Sequence, residues 1–160
     1  MIFPELEEFA GAIAPMRGLI GLDLGTKTIG VALSDRLLNS ATALETIKRK
    51  KFGLDADVLA ALVAKHEVTG VILGLPRNMD GSEGPRAQAT RGFAQNLSRR
   101  PDFADIPLAF WDERLSTVAA EKALLEADTT RKRRAEVIDA VAAGYILQGA
   151  LDRLRHMRAG

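Results

Sequence analysis

The segment GLDLGTKTIGVALSD, residues 21–35, restricts the possible folds of this chain more than any other. Large apolar residues alternate with small ones on both sides of a glycine turn, a pattern typical of a β-hairpin. Asp23 breaks the pattern, because it lies inside the first strand between two leucines. An unpaired buried carboxylate is costly, so Asp23 needs a hydrogen-bond donor, a counter-ion or a metal. It could also be a structural group that accepts the backbone amides of residues 25–27.

The rest of the chain predicts an α/β fold. Three further strands are expected over 39–47, 70–76 and 106–111. Four helices are expected over 55–66, 86–98, 117–127 and 135–154. Ser116 or Thr117 can cap the third of these helices. An antiparallel start followed by alternating strands and helices favours a mixed sheet with helices on its faces. Residues 1–17 predict a short helix or a disordered arm, followed by one domain over residues 18–156.

The composition excludes several kinds of site. The chain has no cysteine, which rules out disulfides, thiolate metal sites and cysteine nucleophiles. Its two histidines, His66 and His156, are too few for a usual zinc site, and neither supports a Ser-His-Asp triad. No signal peptide is evident, and no apolar run approaches the ~20 residues of a membrane helix. We therefore expect a cytoplasmic protein without a membrane partner.

The positive charge is concentrated in two tetrads of basic residues. The first consists of Lys48, Arg49, Lys50 and Lys51, and the second of Arg131, Lys132, Arg133 and Arg134. They hold 8 of the 22 basic residues, so the remaining chain has 14 basic against 21 acidic residues. Local basic clusters attract polyanions more strongly than the net charge of +1 predicts. Either tetrad could instead be a solvated loop beside a helix.

Three acidic residues stand in apolar surroundings. Besides Asp23, Glu113 follows the predicted strand LAFW, and Asp139 lies in a largely apolar helix, although a lone acid there could also be exposed. Three carboxylates within ~4 Å would repel one another by up to ~4 kcal/mol per pair at an effective dielectric constant of 20. Mg²⁺ or Mn²⁺ would neutralise this repulsion. A two-metal site of this kind can activate water and stabilise the leaving oxygen of a phosphodiester.

Four motifs occur in an order that resembles one known family. GLDLGTKTIGVALSD, VILGLPRNMDGSEGPRA, WDERLSTVAA and VIDAVAAGYILQ are similar to those of the YqgF family, also called RuvX, over about residues 18–152. The resemblance implies a ribonuclease H-like fold with a five-stranded mixed sheet, its first three strands antiparallel, and helices on both faces. It also implies a nuclease that uses Mg²⁺ or Mn²⁺, with Asp23, Glu113 and Asp139 as catalytic metal ligands.

The resemblance also suggests a substrate and the residues that contact it. Family members are described as Holliday junction resolvases and are linked to maturation of the 5′ end of precursor 16S ribosomal RNA. We therefore expect structured RNA or branched DNA as the partner, and a homodimer if the substrate is a junction. Lys27, Arg77, Arg114 and the tetrad at residues 131–134 would contact phosphates. The family commonly has arginine where this chain has Thr28, which removes one possible phosphate contact.

Two other classes of protein share some of these features. Actin-like and sugar-kinase-like ATPases also place an aspartate beside a glycine turn, as in DLGT at residues 23–26. Such ATPases bind nucleotide between two domains and need more than twice this length, with a second phosphate loop that does not occur here. A non-catalytic nucleic-acid-binding protein would not need metal-binding acids. We therefore favour a nuclease that matures ribosomal RNA, with junction cleavage as the alternative.

Overall fold

The computed structural model describes the backbone of residues 1–115 and 131–159, and the side chains of residues 1–115 and 140–158. The strands are β1 (Ile2–Phe3), β2 (Leu19–Leu24), β3 (Thr28–Ser34), β4 (Ala41–Lys48), β5 (Gly70–Leu75) and β6 (Leu108–Asp112). The α-helices are α1 (Leu6–Ala12), α2 (Phe52–Lys65), α3 (Pro85–Ser98) and α4 (Arg131–Ala159), and short 3-10 helices span Pro101–Phe103 and Glu113–Leu115. The helix predicted over 117–127, with its cap at Ser116 or Thr117, lies outside the described residues.

One mixed sheet has the strand order β1-β6-β5-β2-β3-β4. Strands β2, β3 and β4 are antiparallel neighbours, whereas β5 is parallel to β2, β6 to β5 and β1 to β6. The mixed sheet with an antiparallel start is therefore confirmed, but the described residues contribute six strands to it rather than five. The additional strand is Ile2–Phe3, which pairs with residues 108 and 109. Two residues are too few to show a strand period in the sequence.

The two faces of the sheet pack against different helices. On β2, the alternation places Ile20 and Leu22 on the face covered by α2 and α3. Leu19 lies on the other face, where the core contains residues of α1 and α4. Asp23 is two positions beyond Gly21 and four beyond Leu19, so it belongs to the α4 face. This assignment decides which helix the carboxylate meets.

Residues 1–17 contain a strand and a helix, so the helical alternative for this segment matches the structure. Phe9 of α1 is fully buried. A Cβ atom added to Gly70 at the start of β5 would lie 2.7 Å from Phe9 Cζ. The segment thus packs against the sheet, and a domain that begins at residue 18 stays a prediction.

Helix α4 is longer than the sequence pattern indicated. It already includes residues 131–134, so the prediction that this tetrad lies ahead of the helix is wrong. Arginine and lysine are good helix formers, and neither glycine nor proline separates the tetrad from the apolar part of the helix. None of the helices in the described parts of the chain is long and apolar enough to cross a membrane.

Candidate active site

The strands β2, β4, β5 and β6 run in the same direction and end at one edge of the sheet. The β2–β3 turn, the first basic tetrad and the loop after β5 all follow at this edge, as does the 3-10 helix Glu113–Leu115. Ligands of α/β proteins bind at the carboxyl ends of parallel strands. The predicted site residues of the described segments are therefore gathered at the expected edge.

Asp23 is a buried carboxylate whose neighbours on the same face of the sheet, Gly21 and Gly30, are small. Its exposed fraction is 5%, and it lies opposite Gly30 of β3. Gly21, on the same face, is held close to α4: an added Cβ would lie 2.7 Å from Leu147 Cβ and 3.1 Å from the Ala143 carbonyl oxygen. The helix thus covers β2 up to Gly21, and Asp23 lies just beyond this contact, toward the end of the strand.

Glu113 reaches back over the sheet from the first position of its 3-10 helix. A Cβ atom added to Gly74 of β5 would lie 3.5 Å from Glu113 Cδ. The same added atom would collide with Ile146 of α4, so Gly74 leaves the space that both side chains occupy. Gly74 lies opposite Trp111 of β6, and Trp111 precedes Glu113 by two residues. The Glu113 carboxyl group is therefore on the α4 face of the sheet, above β5.

The two carboxylates lie at the same level of neighbouring strands. Leu22 is opposite Leu73 in the β2–β5 register, so the next residues, Asp23 and Gly74, are level with each other. Neighbouring strands are about 4.8 Å apart. The structure thus places Asp23 and the Glu113 carboxyl group on one face of the sheet, above adjacent strands.

Asp139 lies in α4, and its side chain is outside the described set. The helix passes Gly21 at Ala143 and Leu147, and farther along Leu154 lines the same cavity as residues 16 and 17, which precede β2. Going back along α4 therefore leads toward the end of β2. Among the described side chains, no three His, Asp or Glu residues form a group that could hold a metal.

Two of the arginines predicted to contact phosphate, Arg77 and Arg114, are held by carboxylates. Arg114 Nη2 lies 2.7 Å from Asp112 Oδ2, and Arg77 Nη1 lies 3.6 Å from the same oxygen. The hydrogen bond from Arg114 is the main reason that the pKa of Asp112 lies below its usual range. Arg77 Nε is 3.3 Å from Glu83 Oε2, which is near enough for an ion pair, yet among the described groups it has no well-aligned acceptor.

The remaining predicted cations are partly described. Lys27 is exposed in the β2–β3 turn, and its carbonyl oxygen accepts a hydrogen bond from Arg49 N at 2.9 Å. The side chains of residues 131–134 lie outside the described set. Sequence reasoning missed Asp112 and Glu83 as partners of the arginines. Their only signal was their position beside Glu113 and in the loop after β5.

Comparisons with known proteins agree with this architecture. A family model described as RuvX, Holliday junction resolvase, matches residues 17–153. A protein of Jannaschia sp. (strain CCS1) named "Putative pre-16S rRNA nuclease" is 82% identical over 159 residues and covers 99% of both chains. A Ruegeria pomeroyi protein of the same name is 69% identical over 157 residues, or 98% of this chain and 100% of that protein.

A likeness to a solved structure supports the fold. T. thermophilus RuvC in complex with Holliday junction substrate matches with a TM-score of 0.54 and 13% identity, over 86% of this chain and 96% of that one. The ribonuclease H-like fold predicted from the sequence is thereby confirmed. The match of a family model over most of the chain also confirms the resemblance seen in the four motifs. The chain belongs to the RuvX family.

Proposed function

We propose that this protein is a divalent-metal-dependent endonuclease that hydrolyses phosphodiester bonds of structured nucleic acid, and that its substrate is the 5′ end of precursor 16S ribosomal RNA. The observation that supports this function is the pair of carboxylates above adjacent strands, at the sheet edge where α/β proteins bind ligands. Relatives at 82% and 69% identity named as pre-16S rRNA nucleases support the choice of RNA. We also expect the protein in the cytoplasm, where bacterial ribosomal RNA is processed.

The donor set fits a hard divalent cation. Asp23 and Glu113 provide carboxylate oxygens, which Mg²⁺ and Mn²⁺ prefer, and the chain has no cysteine to favour a softer metal. Divalent metals are general in this family, and we propose Asp23, Glu113 and Asp139 as the ligands. The metal would supply an activated water and stabilise the oxygen that leaves the phosphodiester.

The backbone supports the assignment of Asp139. Residue 139 is one helical turn before Ala143, whose carbonyl oxygen lies beside Gly21. Four helical residues rise about 6 Å. Two strand residues, the step from Gly21 to Asp23, span about 6.6 Å. We therefore expect residue 139 at about the level of Asp23, as a shared metal site would need.

The protein's own residues bind and orient the substrate in this scheme. Gly21 and Gly74 lack side chains where α4 and Glu113 approach the sheet, which lets the acids stand above adjacent strands. Arg77 and Arg114 stand at the rim, where Asp112 fixes both guanidinium groups. An arginine fixed in this way loses less side-chain entropy when it meets a phosphate. These arginines thus hold the substrate backbone in place while the acids serve the reaction.

Junction cleavage is the second candidate, and the description of the family model favours it. A resolvase cuts two symmetric strands, so it should be a stable homodimer with two sites. An RNA-processing nuclease has no such requirement. Cleavage of a 5′-extended 16S precursor fragment and of a synthetic four-way DNA junction by one preparation, with its mass in solution, separates the two candidates.

The metal site is tested by Asp23→Asn and Glu113→Gln, with Asp105→Asn as the matched control, because Asp105 is an exposed acid before β6, at the opposite edge of the sheet. Removal of a metal ligand should cost several kcal/mol of transition-state stabilisation. Mn²⁺- or Mg²⁺-dependent cleavage should therefore fall about 100-fold or more in the first two variants. The control should cut like the wild type. Wild-type rates in Asp23→Asn would overturn the metal-site assignment.

A further inference from the structure

Five exposed basic side chains surround the β2–β3 turn, and four of them have no role in the site described above. We call this set the turn-side basic surface; it consists of Lys27, Lys48, Lys50, Lys51 and Arg86. Lys48, Lys50 and Lys51 end or follow β4, on the β3–β4 side of Asp23, whereas Arg77 and Arg114 follow β5 and β6 on the other side. Arg86 joins the set at the end of β2, where its Nη2 lies 3.5 Å from the Leu24 carbonyl oxygen. The sheet edge therefore has cations on both flanks of the carboxylates.

The strand register fixes the distance of this surface from the acids. Lys48, the last residue of β4, lies directly opposite Thr28, the first residue of β3. Strand β4 is two strands away from β2, which holds Asp23, so the lateral distance is about 10 Å. Lys48 can thus meet the backbone of a bound strand about 10 Å to the side of the carboxylates.

The backbone beneath the surface is held by Arg49, whose side chain points under the turn. Its Nη1 donates a hydrogen bond to the Gly25 carbonyl oxygen at 2.6 Å, and its backbone N–H donates to the Lys27 carbonyl oxygen at 2.9 Å. Its guanidinium carbon also lies 5.7 Å from the centroid of the Phe93 ring. Arg49 therefore joins the end of β4 to the turn that follows Asp23.

A buried carboxylate fixes the next residue of the tetrad. Asp55, 2% exposed, accepts a hydrogen bond from Lys50 N at 2.9 Å. This contact uses the backbone of Lys50 and leaves its ammonium group exposed. The surface is thus displayed on a rigid framework, which lowers the entropic cost of binding.

The lysines differ from the rim arginines in their charge balance. Carboxylates of Asp112 and Glu83 neutralise Arg77 and Arg114, whereas no ion pair to Lys48, Lys50 or Lys51 occurs among the described residues. Lysines without an ion pair gain most from a polyanion, because each phosphate that they neutralise releases counterions.

We propose that the turn-side basic surface binds the sugar–phosphate backbone of the substrate about 10 Å from the cleavage position, on the side of the site opposite Arg77 and Arg114. The ligand chemistry is a chain of phosphodiesters, in RNA or in DNA. This inference rests on the proposed nuclease function, since it adds a binding surface to the same site.

The test uses the full chain with Asp23→Asn, which prevents cleavage during binding measurements. Added Lys48→Gln, Lys50→Gln and Lys51→Gln should reduce the slope of log affinity against log salt by about 2 to 3, for the loss of three phosphate contacts. An RNA hairpin and a four-way DNA junction serve as separate probes and show which backbone the surface prefers. An unchanged slope with both probes would overturn the proposal.

A matched triple variant controls for the loss of net charge. Arg36, Lys65 and Arg158 are exposed cations toward the opposite edge of the sheet, and their replacement by Gln should leave the slope unchanged. If the slope falls equally in this control, the effect comes from net charge alone, and the proposal is overturned. Cleavage keeps the two hypotheses apart: with Asp23 intact, the Lys48, Lys50 and Lys51 variant should raise KM and retain kcat. Absence of metal-dependent cleavage in the wild type would instead refute the nuclease function.

The strand pair offers a rescue experiment. Residues 28 and 48 are opposite each other, and the Cβ atoms of such pairs are about 4.5–5.5 Å apart. An arginine at position 28 can therefore reach the place of the missing ammonium group. Thr28→Arg should restore the affinity lost in Lys48→Gln, whereas Thr28→Gln should not. If Thr28→Arg does not restore affinity in a folded protein, a positive charge at this place does not contribute to binding, and the proposal is overturned.

Discussion

The contact between Gly21 and α4 gives a sharp test of how the site is built. In Gly21→Ala, the new Cβ would lie 2.7 Å from Leu147 Cβ and 3.1 Å from the Ala143 carbonyl oxygen. Carbon atoms pack at about 3.5–4.0 Å, so the helix and the strand must separate by about 1 Å. Overpacking of this kind costs about 1–3 kcal/mol. At about 2–4 °C per kcal/mol for a chain of this size, Tm should fall by about 2–12 °C.

The same displacement should affect catalysis, because α4 also holds Asp139. A misplacement of 1 Å can reduce a rate by about 100-fold. We therefore expect Gly21→Ala to lose far more cleavage than its stability change explains. Circular dichroism gives Tm, and cleavage is measured with saturating Mn²⁺ and substrate at a temperature where both proteins are folded.

Gly92→Ala is the matched control for this experiment. It makes the same chemical change inside α3, where the added Cβ would meet none of the described atoms within 4 Å. Helix propensity predicts a gain of up to about 1 kcal/mol and an unchanged cleavage rate. If Gly21→Ala melts and cuts like the wild type, the close seating of α4 on β2 is wrong, and with it the argument that places residue 139 near Asp23.

Three further predictions concern other parts of the protein. Arg114 lowers the pKa of Asp112, so the ionised Asp112 carboxylate stabilises the folded protein. This contribution is complete above the usual carboxyl pKa and is lost as the pH falls through the lower folded-state pKa. As the pH falls below about 4, the free energy of unfolding measured with urea should therefore decrease more steeply in the wild type than in Asp112→Asn. Parallel curves of this free energy against pH would contradict the prediction. Arg49→Gln should lower the free energy of unfolding by about 1–2 kcal/mol through the lost bond to Gly25, and an unchanged value would remove its role under the turn. Phe9→Ala should cost about 3–5 kcal/mol in denaturant unfolding, and a small loss would mean that the N-terminal segment contributes little to the core.

Most of the fold could be predicted from the sequence, because apolar residues recur at spacings that distinguish strands from helices. The hairpin around Asp23 alternates large and small residues, and the run GVILGLP has the length and apolarity of a buried parallel strand. The two-residue strand Ile2–Phe3 has no period to detect, and its pairing depends on residues more than a hundred positions away. The start of α4 was missed because charged residues reveal no apolar stripe, although they favour helix.

The residue types of the candidate site could be selected from the sequence, but their geometry could not. A carboxylate between two leucines is anomalous in any strand, so Asp23 could be selected from one sequence. The need for glycine at positions 21 and 74 could not, because it arises from how closely α4 and Glu113 approach the sheet. Likewise, Asp112 meets Arg77 only once β5 and β6 are neighbours, whereas its contact with Arg114 is local.

The distribution of charge along the edge explains how an acidic site can accept a polyanion. Asp23 and Glu113 would repel a phosphodiester at close range, and that repulsion acts over a Debye length of about 8 Å at physiological salt. The turn-side basic surface lies about 10 Å away, where the carboxylates are largely screened from a bound strand. The free energy of substrate binding at the turn-side basic surface can therefore be separated from that of the reaction at the acids. A chelator should abolish cleavage while the lysine surface still holds the substrate, so metal dependence belongs to the chemical step and salt dependence to the flank.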